Sequence, residues 1–158
     1  NVGVAITAGK LGIGFTDANV KVGNTALDSL TTGSNNVAVG NAALTANTGG
    51  SQNTAVGGES LDANSTGNYN TAVGRNALTS NTTASSNSAF GISALQENTT
   101  GTPNVAVGAF ALDANTTADN NTAVGYNGAT ANTTGTNNTA VGANALDANT
   151  TANYNAAF

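Results

Sequence analysis

Acid-base chemistry in this chain would have to come from carboxylates. The 158 residues include no His and no Cys, which leaves Asp and Glu as the plausible general acids or bases. Three of them, Asp62, Asp113 and Asp147, fall at the same phase of a 17-residue period, three and then two periods apart. If each period advances the chain by one strand spacing of ~4.8 Å, they stand about 14 and 10 Å from one another, too far for a working glycosidase pair. Solvated charge is the reading that remains. No thiolate metal site is available and no calcium-binding nonapeptide is present. The sequence therefore predicts no catalytic residue, no metal ligand, no cofactor and no enzyme.

Two other patterns could carry chemistry. Asn64-Ser65-Thr66, Asn81-Thr82-Thr83, Asn98-Thr99-Thr100, Asn115-Thr116-Thr117, Asn132-Thr133-Thr134 and Asn149-Thr150-Thr151 each match the N-glycosylation sequon. Their fixed spacing reads first as a turn motif whose Asn and Thr side chains hydrogen-bond along a stacking axis. Rows of Thr also suggest ice binding, but adjacent Thr residues point to opposite sides of an extended segment. The second pattern is a scatter of column-breaking side chains. Tyr69 and Tyr154 precede a repeated Asn, while Arg75, Phe110 and Tyr126 follow a repeated Gly. Isolated exposed aromatics are ordinary. Tyr69, Arg75, Phe110 and Tyr126 are nonetheless where a lateral contact with a glycan or receptor is expected.

Composition narrows the partners. The formal net charge is -5, from eight acidic and three basic residues, and charged residues make up only 7% of the chain. Lys10, Lys21 and Arg75 are dispersed, which argues against a nucleic-acid surface. No apolar run approaches the ~18 residues of a membrane span, so no direct membrane insertion is expected. No signal peptide is visible. The first residue is not Met and the last lies inside a repeat, which reads as a piece of a longer protein. Asn and Thr together form about a third of the chain, a bias shared by disordered and β-stacked sequences. The apolar residues keep fixed columns, and that decides for order.

The element that must position everything is the repeat itself. Asn-Thr-Ala-Val-Gly or a close variant occurs at Asn19–Gly23, Asn36–Gly40, Asn53–Gly57, Asn70–Gly74, Asn87–Gly91, Asn104–Gly108, Asn121–Gly125 and Asn138–Gly142, with a ninth start at Asn155. A unit this short suits one coil of a β-solenoid rather than a helical repeat. In residues 53–69, two extended segments are expected, Thr54–Val56 and Ser60–Leu61, joined by a turn at Gly57 and closed by an Asn/Thr/Gly-rich return.

Alternation on a strand puts Thr54 and Val56 on one face and Ala55 on the other. The Val56 column is always large and apolar, so it is read as the inside of the coil. Leu27, Leu44, Leu61, Leu78, Leu95, Leu112 and Leu146 complete that interior, with Ala129 as the exception. Ala38, Ala55, Ala72, Ala89, Ala106, Ala123 and Ala140 then form an outer row so restricted that a neighbouring chain is expected to pack on it. One Val and one Leu are little apolar burial for 17 ordered residues, which also favours an oligomer. Lys21, the one departure in the Ala column, is tolerable at the end of a stack where its ammonium reaches water.

The Asn-x-Ala-Val-Gly motif with a following Ala-Leu resembles the head repeats of trimeric autotransporter adhesins. The longer unit at Asn70–Leu78, followed by Asn81-Thr82-Thr83, is similar to repeats of bacterial and phage fibres. The resemblance spans about residues 19–158. It implies an all-β, left-handed parallel β-roll built from three chains, placed at the cell surface on an outer-membrane-anchored fibre or on a phage virion. The function it implies is a structural and adhesive segment of a homotrimeric fibre that projects a binding tip toward a host or prey cell-surface glycan or protein. An ice-binding or extracellular-matrix solenoid is the alternative. Residues 1–18 lie outside the repeat. Val2–Ile6 and Leu11–Phe15 alternate large and small around Ala8-Gly9-Lys10, which predicts a β-hairpin that caps the first coil or joins a preceding domain, with a binding tip as the sharper alternative.

Overall fold

A computed structural model describes residues 18–158. The hairpin expected over 1–18 falls outside the described residues, apart from Ala18. Nine short strands follow in order: β1 (Val20–Val22), β2 (Val37–Val39), β3 (Thr54–Val56), β4 (Thr71–Val73), β5 (Ser88–Phe90), β6 (Val105–Val107), β7 (Thr122–Val124), β8 (Thr139–Val141) and β9 (Ala156–Ala157). They form one parallel sheet in sequence order. Each residue pairs with the one 17 positions later, as in Thr54↔Thr71, Ala55↔Ala72 and Val56↔Val73. The described chain is thus an all-β solenoid of about eight turns, without a helix. The period seen in the sequence is the rise of one coil.

The two faces of the strand are the reverse of the expectation. Ala38, Ala55, Ala72, Ala89, Ala106, Ala123 and Ala140 are all 0% exposed within the single chain. Val39, Val56 and Val73 are only half-buried, and Val107, Val124 and Val141 are exposed. The Ala row therefore lines the interior and is closed to a neighbouring chain; the Thr and Val columns point out. Volume explains this. The Leu column enters the coil from the opposite side, and Leu44, Leu61, Leu78, Leu95 and Leu112 are fully enclosed with the Ala residues in one cluster. A coil this narrow admits one large side chain per turn. With Leu inside, the strand facing it must be small, since a close-packed interior leaves no room for a second branched residue.

The segment after each strand also departs from the expectation. Ser60–Leu61 is a turn, not a strand. Glu59 and Leu61 both have left-handed backbones, with φ of 59° and 51°. The same pair of positions repeats in every coil, as at Asn76 and Leu78. This alternation curls the chain yet keeps peptide groups aimed along the axis. The Glu59 N–H donates to Asn41 O in the preceding coil, and the Leu61 N–H donates to Ala77 O in the following one. Leu at φ near 50° carries a steric cost. Burial of the side chain holds it there.

Two columns of buried Asn finish the core. In the first, Asn53 Nδ2 donates to Gly67 O at 2.8 Å, and Asn53 Oδ1 accepts the backbone N–H of Asn70 at 2.9 Å. In the second, Asn81 Nδ2 donates to Asn64 Oδ1 at 2.9 Å and to Ala84 O at 3.1 Å. Buried amides are tolerated because donors and acceptors pair coil to coil. Lys21 sits in the inward column of the first described coil. Its ammonium bonds Asp28 of the same coil at 2.6 Å, a link that follows the expected outward reach of the charge.

Candidate functional site

The sequons lie on the second Asn column. Asn64, Asn81, Asn98, Asn115 and Asn132 are 0% exposed, and Asn149 bonds Asn132 Oδ1 in the same way. Their Nδ2 atoms, to which a glycan would be bonded in place of a hydrogen, are donors in the ladder. The next residue is committed as well: Thr82 Oγ1 donates to Thr99 O, Thr99 Oγ1 to Thr116 O and Thr116 Oγ1 to Thr133 O. In the first five triplets only the third residue, such as Thr83 or Thr100, stands exposed; in the last, Thr150 and Thr151 both do. The triplet is a stacking device, as its spacing suggested, and in the folded chain it presents neither an acceptor amide nor a paired Thr array.

The carboxylates stay apart. Asp62, Asp113 and Asp147 share a column with other residues between them. Asp113 accepts a bond from Thr130 Oγ1 at 2.6 Å. Among the described residues no three His, Cys, Asp or Glu side chains gather where an ion could be held.

The four candidate contact residues divide. Phe110 and Tyr126 come together edge to face, with ring centroids 6.2 Å apart and planes at 87°. Arg75 belongs to the same corner, since residues 75, 92, 109 and 126 occupy one column on four successive coils. Tyr69 does not. It sits with Tyr154 at a different corner, before the buried Asn, and has a left-handed backbone with φ of 60°. Tyr126 points away from the coil, 55% exposed. It does not turn inward to fill the space left by Ala129.

Two exposed apolar side chains, one at this corner and one on the strand face, were not among the expected contact residues. Ile92 is 54% exposed beside Phe110, whose N–H donates to Ile92 O at 2.9 Å. Phe90 stands 41% exposed on the outer face one coil before Val107. Ile92 could have been found, because its column otherwise holds Asn, Gly, Ala, Arg and Tyr. Phe90 could not, because the Val column was assigned to the interior.

The outer face of the sheet runs along all nine strands. Its first column runs Val20, Val37, Thr54, Thr71, Ser88, Val105, Thr122 and Thr139, and its second Val22, Val39, Val56, Val73, Phe90, Val107, Val124 and Val141. No charge interrupts either column. At ~4.8 Å per strand, nine strands extend about 38 Å. Against known proteins, the chain matches no family model, no curated sequence and no solved structure.

Proposed function

We propose that this chain is a structural and adhesive segment of a homotrimeric surface or virion fibre, holding a binding tip away from its anchorage. The observation that carries the reading is the uncharged Thr/Val face on a regular rod. Every coil from β1 to β8 presents an uncharged outward pair, Thr, Val or Ser followed by Val or Phe, so one copy laid on another would meet no charge along these strands. Contiguous apolar surface of this kind marks an interaction site more often than a solvated one. The interface is the Val side of the strand, since the Ala side is already enclosed. A rod with hydrogen-bonded coils and two amide ladders suits a spacer that bears load along its axis. Such a fibre acts outside the cell or on a virion, and its targets are cell-surface glycans or proteins.

Light scattering at micromolar concentration tests assembly. The expected mass is three times that of the chain. Val73→Lys with Val124→Lys should reduce it to one chain while the β circular-dichroism signal persists. A folded, monomeric wild-type protein would remove the trimer from the proposal.

The same flat face supports one other reading, ice binding. It rests on the in-register Thr/Val pairs rather than on the Asn-Thr-Thr rows, and Phe90 interrupts its plane. A face buried between copies cannot also meet ice. Thermal hysteresis in a monomeric sample would favour ice; a trimer without hysteresis favours the fibre.

A further inference from the structure

We infer that the corner formed by Ile92, Phe110 and Tyr126 is a lateral binding site for a neutral hexopyranose glycan. This deepens the adhesive reading and rests on it. Residues 92, 109 and 126 share one column on three successive coils, and Ala109 lies between two large side chains. Ile92 and Tyr126 therefore stand about 10 Å apart at the backbone, two strand spacings, with the small Ala109 between them.

Phe110, in the next column, meets Tyr126 edge to face. All three large side chains are more than a third exposed, at 54% for Ile92, 37% for Phe110 and 55% for Tyr126. The pair of rings at right angles offers partly exposed aromatic surface beside one phenol hydroxyl. Sugar rings have the matching character: C–H groups on a face and hydroxyls around the edge. Aromatic side chains with a polar handle suit a ligand of that kind.

Charge and area decide against other ligands. The two columns on these three coils hold Ile92, Ser93, Ala109, Phe110, Tyr126 and Asn127, with no ionised group among them. The one cation of this corner, Arg75, stands two coils from Phe110 and three from Tyr126, about 10 and 14 Å along the stack, so an acidic sugar or a phosphate at the ring pair has no cation beside it. Asn127 adds an amide, shared with Asn144 Oδ1 at 3.3 Å, that can exchange toward a hydroxyl. A protein partner needs roughly 800 Å² of surface on each side, far more than three side chains supply. The ligand that fits is one or two sugar rings, and weak single sites of this kind would act together along a multivalent fibre.

Two measurements on the full chain test the site. A neutral-glycan array reads adhesion, and aromatic-ring NMR of Phe- and Tyr-labelled protein, titrated with lactose, cellotriose and any array hit, reads the corner directly. The expected result is a shift of the Phe110 and Tyr126 rings with Tyr69 and Tyr154 unmoved. Binding should fall about tenfold or more in Tyr126→Ala and in Phe110→Ala, and stay unchanged in Tyr69→Ala. Array binding retained by both corner variants overturns the site and leaves the adhesive reading standing. Ring shifts without array binding keep the site and remove the adhesive reading. Rings unmoved by every neutral sugar overturn the site. So does a change in oligomer mass in the two variants, because a second copy would then be what covers the corner.

Discussion

Asn81 Nδ2 lies 2.9 Å from Asn64 Oδ1 one coil earlier, and Asn81 Oδ1 accepts from Asn98 Nδ2 one coil later at 3.1 Å. Each amide is thus donor to one neighbour and acceptor from the other. Asn81→Ala would leave Asn64 Oδ1 without its partner and take one of two bonds from Asn98 Nδ2, which keeps Gly101 O, and from Ala84 O, which keeps Asn70 Nδ2. One orphaned buried group costs about 1–3 kcal/mol, so a loss of about 2–3 kcal/mol is expected in chemical denaturation. Thr83→Ala, two residues away on the exposed side, should change stability by no more than about 0.5 kcal/mol. Equal losses would mean the ladder contributes nothing beyond the turn.

Ala72 and Val73 are adjacent and face opposite ways, which separates folding from assembly. Ala72→Glu would place a carboxylate between Leu side chains of the core. The single chain should lose most of its cooperative melt, because an unpaired buried charge has no compensation there. Val73→Thr faces outward and should leave the melt within about 1 kcal/mol of wild type. Tyr69→Glu should be tolerated, since Tyr69 is 62% exposed. A folded Ala72→Glu monomer with a normal melting curve would contradict the inward assignment of the Ala column.

The period, the parallel stacking and the register were legible because Asn-Thr-Ala-Val-Gly recurs without an insertion. The direction of the strand faces was not. Hydropathy ranks Val above Ala, so Val reads as interior. The deciding quantity is volume, set by Leu61 and its equivalents entering from the far side of a narrow coil. The left-handed backbone at Leu61 was hidden for a similar reason: Leu is a poor residue for φ near 50°, and nothing local marks it. Asn64 reads as a loop residue from its neighbours Ser65 and Thr66. Its burial appears only when Asn47 and Asn81 are stacked on either side. At the candidate site, Phe110 and Tyr126 were visible as column-breakers, but their contact depends on two columns being adjacent across coils.

Gly74 and Gly58 show how differently two glycines of the repeat are used. Gly74 has φ of +142°, and a Cβ there would fall 2.3 Å from Gly91 O in the next coil. Gly74→Ala should cost more than the ~1–3 kcal/mol of a strained backbone alone, because the backbone it meets cannot move without its own coil. A Cβ on Gly58 meets nothing closer than Asn41 O at 3.9 Å. Gly58→Ala should be neutral, or stabilising by about 0.4–1 kcal/mol through the unfolded state. Paired thermal melts distinguish the two. A mild effect at Gly74 would mean the stacked glycine turns are looser than their geometry implies.

Gly128-Ala129 replaces the usual Ala-Leu, which is Ser60-Leu61 in the third coil, and Ala129 is nevertheless fully buried. Its φ of 48° is close to the 51° of Leu112 and the 54° of Leu146 in the coils on either side. The backbone is therefore already set for Leu. Tyr126 faces outward and takes none of the interior space. Leu78→Ala removes a large enclosed side chain and should cost about 2–5 kcal/mol. Ala129→Leu restores the column and should be neutral or stabilising. A Cβ on Gly128 would meet Ala123 Cβ at 3.4 Å, an ordinary contact, so Gly128→Ala with Ala129→Leu should exceed wild type in melting temperature. The comparison isolates the column, because both positions have the same partners one coil away. If Ala129→Leu lost as much stability as Leu78→Ala, the seventh coil would have closed around its smaller side chain, and the Leu column would not be interchangeable from coil to coil.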